Sequence, residues 1–328
     1  MVRHHLLDRA LERDLLPDAV LRHGARVAAV ARTRRAGKGG VEAQEERLRE
    51  LVARMSSGPI AAAPDTADEL PAEFYGLVLG PRRKASACLW ADGIRDLAGA
   101  EEAMLALTCA RAGIVDGMGV LDLGCGWGSL SLWVAEQYPR TAVLGVASSD
   151  EQREWLQAEA ARRGLSNLEV RAEDFDALNP GRRFDRVVST ERFEHVRNWA
   201  ELLRRISTWL EPDGKLFVDV RSHRRLPLPL AGAVVPPHDM MGFFQRDLVL
   251  QERWVVPGTH YAQTARAWLR NLARNRAEAV RIVGRIHPPS VARRLLATRR
   301  RDLISAAATW GRRDGEEWLV SHYLLAPR

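Results

Sequence analysis

Two groups of residues in this sequence have types and spacings suited to chemistry. The first is Asp122-Leu123-Gly124-Cys125-Gly126-Trp127-Gly128. Three glycines in five residues let the backbone approach a ligand with no Cβ in the way, and Asp122 can hold the turn or meet the amino end of a bound molecule. The spacing differs from the G-x-G-x-x-G of a pyrophosphate cradle, so a dinucleotide is not expected. The second group is Glu191, Glu194 and His195. Two carboxylates can hold a cationic amine, and His195 or a carboxylate can remove its proton as a general base. The plainer alternative is that Glu194 and His195 open a helix, whose positive end suits a glutamate.

Two further stretches suit the glycine turn. In Ala147-Ser148-Ser149-Asp150-Glu151-Gln152, Ser148 and Gln152 can meet ribose hydroxyls. In Ala172-Glu173-Asp174-Phe175, Asp174 can accept from an adenine amino group while the Phe175 ring covers its face. Alone, Asp150 could merely cap a helix and Asp174 could sit in an ordinary polar loop. In this order, the three stretches describe a site for an adenosine-bearing ligand.

The elements that must position these groups follow from periodicity. Val120-Leu121-Asp122-Leu123 is a short apolar run, hence a first buried strand. Further strands are predicted at 141–146, 168–172, 184–189 and 214–220, with helices at 101–112, 129–137, 150–163, 200–210 and 265–283. Strands alternating with helices imply a parallel sheet covered on both faces, with ligands at the carboxyl ends of its strands. Residues 1–55 read as helices, with Leu6, Leu7, Ala10, Leu11, Leu15 and Leu16 at helical spacing, and Ser56 to Pro71 reads as a linker. Beyond Arg221, Leu226-Pro227-Leu228-Pro229 and Val235-Pro236-Pro237 predict an irregular connection.

Composition narrows the class. A chain of 328 residues can hold an α/β domain of ordinary size and substantial extra structure. Its three cysteines, Cys88, Cys109 and Cys125, have no metal-ligand spacing, so no metal is expected and a reduced, cytoplasmic setting is. No apolar run approaches the ~18 residues that span a bilayer. The formal charge of +7 is mostly arginine, clustered in the first forty residues and from Arg281 to Arg301. It leaves weak contact with an anionic membrane surface open. No nucleic acid is expected, because no basic stretch is interleaved with aromatics.

The motifs carry a family resemblance. Leu121 to Gly128, followed by Glu191-Arg192-Phe193-Glu194-His195, resembles the superfamily of cyclopropane-fatty-acid synthases and coclaurine N-methyltransferases. Glu73-Phe74-Tyr75-Gly76-Leu77-Val78-Leu79-Gly80, Ala100-Glu101-Glu102-Ala103-Met104, Thr259-His260-Tyr261-Ala262-Gln263-Thr264 and Gly315-Glu316-Glu317-Trp318-Leu319-Val320-Ser321-His322 are similar to it as well. The resemblance implies S-adenosyl-L-methionine as cofactor and a class I, Rossmann-like methyltransferase fold with a doubly wound, mostly parallel sheet. With the helical extension and linker read above at 1–70, the expected organisation is a methyltransferase domain at 71–328, with a cofactor core at about 100–222 and acceptor-side elements at 223–328.

The expected cofactor set is Asp122, Gly124, Cys125, Gly126, Gly128, Ser148, Gln152, Asp174 and Phe175; the catalytic set is Glu191, Glu194 and His195. Cys88, Trp90, His223, Phe243, His260 and Tyr261 are the expected acceptor pocket. Glu191 and the Gly-Glu-Glu-Trp block resemble the N-methyltransferase branch. The expected reaction is methyl transfer to a small molecule, at an amine nitrogen or an electron-rich carbon of a natural-product scaffold, with a homodimer left open.

The sequence also departs from the family. Where the synthases carry a bicarbonate-site cysteine, this chain has Ala87, with Cys88 shifted by one, which disfavours alkene cyclopropanation. The His-Tyr that usually precedes Glu-Phe-Phe is missing, and the segment 224–237 is short. A lipid-modifying enzyme of the synthase type and a noncatalytic module binding cofactor or nucleic acid are the alternative readings.

Overall fold

The computed structural model describes residues 16–60, 70–230 and 233–328. From the amino end come helices α1 (Asp18–Ala36), α2 (Gly40–Arg54), α3 (Ala72–Val78) and α4 (Leu97–Ala112). The alternating core follows: β1 (Gly119–Leu123), α5 (Ser129–Gln137), β2 (Ala142–Ala147), α6 (Asp150–Arg162), β3 (Leu168–Ala172), β4 (Phe184–Thr190), α7 (Trp199–Trp209) and β5 (Leu210–His223). A two-stranded hairpin, β6 (Leu228–Leu230) and β7 (Ala233–Val235), leads to β8 (Leu248–Pro257), α8 (Gly258–Arg274), α9 (Arg276–Val283), α10 (Pro289–Trp310) and β9 (Trp318–Pro327). Leu6, Leu7, Ala10, Leu11, Leu15 and linker residues 61–69 lie outside the described residues.

Seven strands form one sheet in the order β3-β2-β1-β4-β5-β9-β8. The pairs from β3 to β5 are parallel, and β9 runs antiparallel to both β5 and β8. Chain order reverses between β1 and β4, so their carboxyl ends flank the crevice where doubly wound folds bind ligands. The expected doubly wound, mostly parallel sheet is thus present.

Both faces are covered. In α7, Trp199, Leu202, Leu203 and Ile206 recur at helical spacing and pack on Leu121, Val187 and Val218. Leu51, Met55 and Ile60 join that cluster, so the N-terminal segment shares the main core. On the other face, Leu105, Cys109 and Ala112 of α4 and Leu130 and Val134 of α5 meet Val120, Val143, Val188 and Phe217. A separate cluster joins Phe74 and Val78 of α3, Trp268 and Leu272 of α8, and Trp127 of the glycine turn, laying a helical cover over that turn.

The structure corrects several expectations beyond β4. The strand expected at 214–220 extends to His223 because β9 pairs with it as far as His223 opposite Trp318. The helix expected at 265–283 is two, broken at Asn275, whose side chain donates to Leu77 O at 2.9 Å. The irregular connection contains the β6–β7 hairpin, and β8, α10 and β9 were not anticipated. Among the described residues no helix is long and apolar enough to cross a membrane.

Candidate active site

The turn after β1 is built by its backbone. The N–H groups of Gly124 and Cys125 both donate to Val146 O, at 3.0 and 2.9 Å, which folds the turn over the end of β2. Gly124, Gly126 and Gly128 have φ of +88°, +54° and +72°, a region favouring glycine. Beneath them, buried Asp122 accepts from Ser131 Oγ at 2.6 Å, and burial pushes its carboxyl up to about 6.

A cavity of about 360 Å³ opens above this turn. Asp122, Gly124, Cys125, Gly126, Ser148, Gln152, Asp174 and Phe175 line one part of it, and Glu191 and His195 line it as well. The structure therefore brings most of the expected cofactor set and two members of the catalytic set to one place. Ser149 caps α6 by accepting from Gln152 N at 3.3 Å, and Ser148 Oγ donates to Gln152 Oε1 at 3.0 Å. That pair presents oxygen and amide groups at the cavity edge. Asp174 Oδ1 accepts from Asp176 N at 2.8 Å, while the Arg192 guanidinium lies 5.2 Å from the Phe175 ring centre.

Glu191 follows β4 with φ +47°, left-handed backbone in a residue other than glycine, a conformation that concentrates at functional sites. Asp219 O holds its N–H at 2.8 Å. Its carboxylate accepts from Ala87 N at 2.7 Å through Oε1 and meets Arg221 Nε at 3.3 Å through Oε2. Burial drives this carboxyl up to about 7, against the opposing pull of Arg221. The 3-10 turn Phe193–His195 then presents His195 to the cavity.

That same turn sends Glu194 inward, a correction to its expected place beside the acceptor. Its Oε1 accepts from Arg221 N at 2.7 Å and from Arg221 Nε at 3.0 Å, its side chain is fully buried, and it is absent from the cavity wall. Gly128 is also off the wall, because it packs against Leu156.

The expected acceptor pocket is largely dispersed. Tyr261 lines the cavity, whereas Cys88, Trp90, His223, His260 and Phe243 do not. Cys88 is buried with its N–H on Thr264 Oγ1, and burial pushes its thiol up to about 12. Trp90 N donates to His260 Nδ1 at 3.0 Å, so these two residues are engaged with each other. His223 Nδ1 accepts from Arg225 N and Leu226 N, which pins the chain leaving β5. Phe243 is 51% exposed and borders a separate groove beside α2.

Other wall residues escaped the sequence reading, among them Ser86, Trp127, Thr190, Arg192 and Arg221. Arg221 had a signal: it lies near the carboxyl end of β5, beside β4, where open parallel sheets place functional groups.

Known proteins show the family to which this fold and cavity belong. The model of the mycolic acid cyclopropane synthetase family matches residues 61–225. (S)-Coclaurine N-methyltransferase from Thalictrum flavum subsp. glaucum is 32% identical, over 97% of this chain and 94% of its own length. The enzyme of that name from Papaver somniferum is also 32% identical, over 97% of this chain and 96% of its own. A solved coclaurine N-methyltransferase bound to N-methylheliamine and SAH superposes with a TM-score of 0.94 at 30% identity, covering 99% of this chain and all of that one. Fold, cavity and relatives together define an S-adenosylmethionine-dependent methyltransferase. The chain belongs to the superfamily of cyclopropane synthases and coclaurine N-methyltransferases.

The residues present fit the cofactor. A Cβ built on Gly126 would meet no protein atom within 4 Å, so the turn leaves open space where a ligand can approach the backbone. Asp122, Ser148, Gln152, Asp174 and Phe175 share that cavity.

Proposed function

We propose that this enzyme methylates a basic amine nitrogen of a small natural-product acceptor, with Glu191 and His195 as the groups that hold the amine and take its proton. The observation that carries the reading is the meeting of Glu191, His195 and the glycine turn in one cavity. S-adenosylmethionine, when bound, supplies an electrophilic methyl group. The chain must then place a neutral nitrogen in line with it, since a protonated amine has no free lone pair. A carboxyl poised near 7 suits this work, because a general base is most effective with a pKa near ambient pH. Asp122, Ser148, Gln152, Asp174 and Phe175 would hold the cofactor, and Tyr261 and Ser86 would border the acceptor.

Alkene cyclopropanation lacks support at the position where the synthases place a cysteine. Here Ala87 offers its peptide N–H to Glu191, and Cys88 Sγ points to Ser86 O at 3.6 Å, away from the cavity wall. The similarity to (S)-coclaurine N-methyltransferases favours a cyclic secondary amine as the first acceptor to try. The test is a panel of cyclic amines, indoles and unsaturated phospholipids with methyl-labelled cofactor. Label on amine nitrogen is expected; transfer confined to phospholipid or to carbon would overturn the reading.

A further inference from the structure

Glu191 and Glu194 project toward one cation. Arg221 Nε lies 3.3 Å from Glu191 Oε2 and 3.0 Å from Glu194 Oε1, and the side chains are only 16%, 7% and 0% exposed. Glu194 is fully committed there: its Oε1 also takes the Arg221 peptide N–H, and its Oε2 is buried with no hydrogen-bond partner. Two carboxylates so close in a water-poor setting repel each other and favour protonation unless a positive charge lies between them. We infer that Arg221 is a positioning residue for the methyl-transfer reaction, aiming Glu191 into the cavity in its ionised form, with Glu194 as the strut that fixes the guanidinium.

The other charged groups around Glu191 act on it more weakly than Arg221. Lys84, from the loop before α4, is buried with its ammonium on Ser86 Oγ, and its charge favours ionised Glu191 in the same sense but from outside ion-pair distance. Asp219, two residues before Arg221 on the same face of β5, is a fully buried acid with neither oxygen hydrogen-bonded. Burial and the nearby Glu191 hold its carboxyl well above the usual range, so it stands beside Glu191 as a protonated, neutral acid, and Tyr261 from α8 and Cys88 supply no positive charge. Among the described residues, the cation with a nitrogen within 4 Å of a Glu191 oxygen is Arg221. Strand β5 fixes its Cα, and the 3-10 turn fixes Glu194, so the clamp is held from two elements.

The inference rests on Glu191 being the base, and the experiment separates the two claims. The rate of a single turnover with a cyclic secondary amine is measured against pH for wild type, Glu191→Gln, Arg221→Met, Arg221→Lys and Glu194→Gln, with cofactor affinity from calorimetry. Arg221→Met should move the acid limb of the rate upward by roughly 1–3 pH units, the usual effect of an adjacent opposite charge. Its rate should recover at high pH and its cofactor affinity should stay within about threefold, since Arg221 acts through Glu191. Arg221→Lys should fall between. Glu194→Gln keeps an oxygen for the Arg221 N–H groups, and so the strut, while it removes a repelling charge; the limb should therefore move downward, which keeps the test decisive if Arg221→Met does not fold. An unmoved limb in folded Arg221 and Glu194 variants, with Glu191→Gln inactive, overturns the inference alone; an active Glu191→Gln overturns the reading of Glu191 itself.

Discussion

Gly128 lies directly against Leu156: a Cβ on Gly128 would come within 2.1 Å of Leu156 Cδ1, whereas one on Gly126 would meet nothing within 4 Å. Glycines two residues apart in one turn therefore serve different purposes. Gly128→Ala should destabilise the protein through a clash with the core side of α6, added to a left-handed backbone cost of about 1–2 kcal/mol. Gly126→Val should carry mainly that backbone cost, yet abolish S-adenosylmethionine binding by filling the cavity. Calorimetry and melting temperature on both variants check the division. Unchanged cofactor affinity in Gly126→Val would remove the turn from the cofactor site.

His195 and Glu194 are adjacent in sequence but face different surroundings, His195 the cavity and Glu194 the Arg221 guanidinium. His195→Ala should lower turnover by roughly 10²–10⁴-fold, the worth of a positioned acid or base, with cofactor affinity nearly unchanged. The rate should climb with pH toward the ionisation of the amine acceptor, more steeply in the variant that lacks this internal base. A loss of melting temperature with normal turnover in the folded fraction would reduce His195 to a structural role.

Asp219 gives a stability prediction with a definite sign. Burial, followed by the nearby Glu191, raises its carboxyl well above the usual range. The folded protein thus keeps a proton that the unfolded chain releases above about pH 4. Stability from this group is present below that pH and is lost as pH rises toward the folded value. Asp219→Asn cannot ionise, so its stability relative to the wild type should rise steadily between pH 5 and 8, by up to about 1.4 kcal/mol for each pH unit below the folded ionisation. Denaturant melts across that range check it, and a gap that narrows with pH would contradict the assignment.

The parallel half of the fold was legible because its strands are short apolar runs punctuated by turns and amphipathic helices. α5 and β3 match their expected limits, and α6 ends one residue short. β9 was harder: Trp318 to Leu325 is buried throughout, so it lacks the alternation that marks a half-exposed strand. α10 was hidden by its many arginines, which read as a charge cluster although Ala292, Leu295, Leu296 and Ile304 form a buried stripe. At the site, residues tied to turns after strands were readable, since the strand ends point to one crevice. The acceptor pocket was not. Cys88, Trp90 and His260 have functional side-chain types, but their partners come from segments 170 to 176 residues away, and sequence spacing carries no record of those contacts.

In the proposed reaction Glu191 takes the proton of an amine acceptor beside bound S-adenosylmethionine. The most direct measurement is single-turnover methyl transfer from labelled cofactor to a cyclic secondary amine by wild type and Glu191→Gln across pH 5–9. Gln keeps an acceptor for the Ala87 N–H, so the fold should hold while the base is lost. Label on nitrogen is expected, with a rate lowered by roughly 10²–10⁴-fold in Glu191→Gln, cofactor affinity within about threefold, and loss of the wild-type acid limb near the Glu191 ionisation at about 7. A Glu191→Gln enzyme that transfers methyl at the wild-type rate with the same acid limb would contradict it.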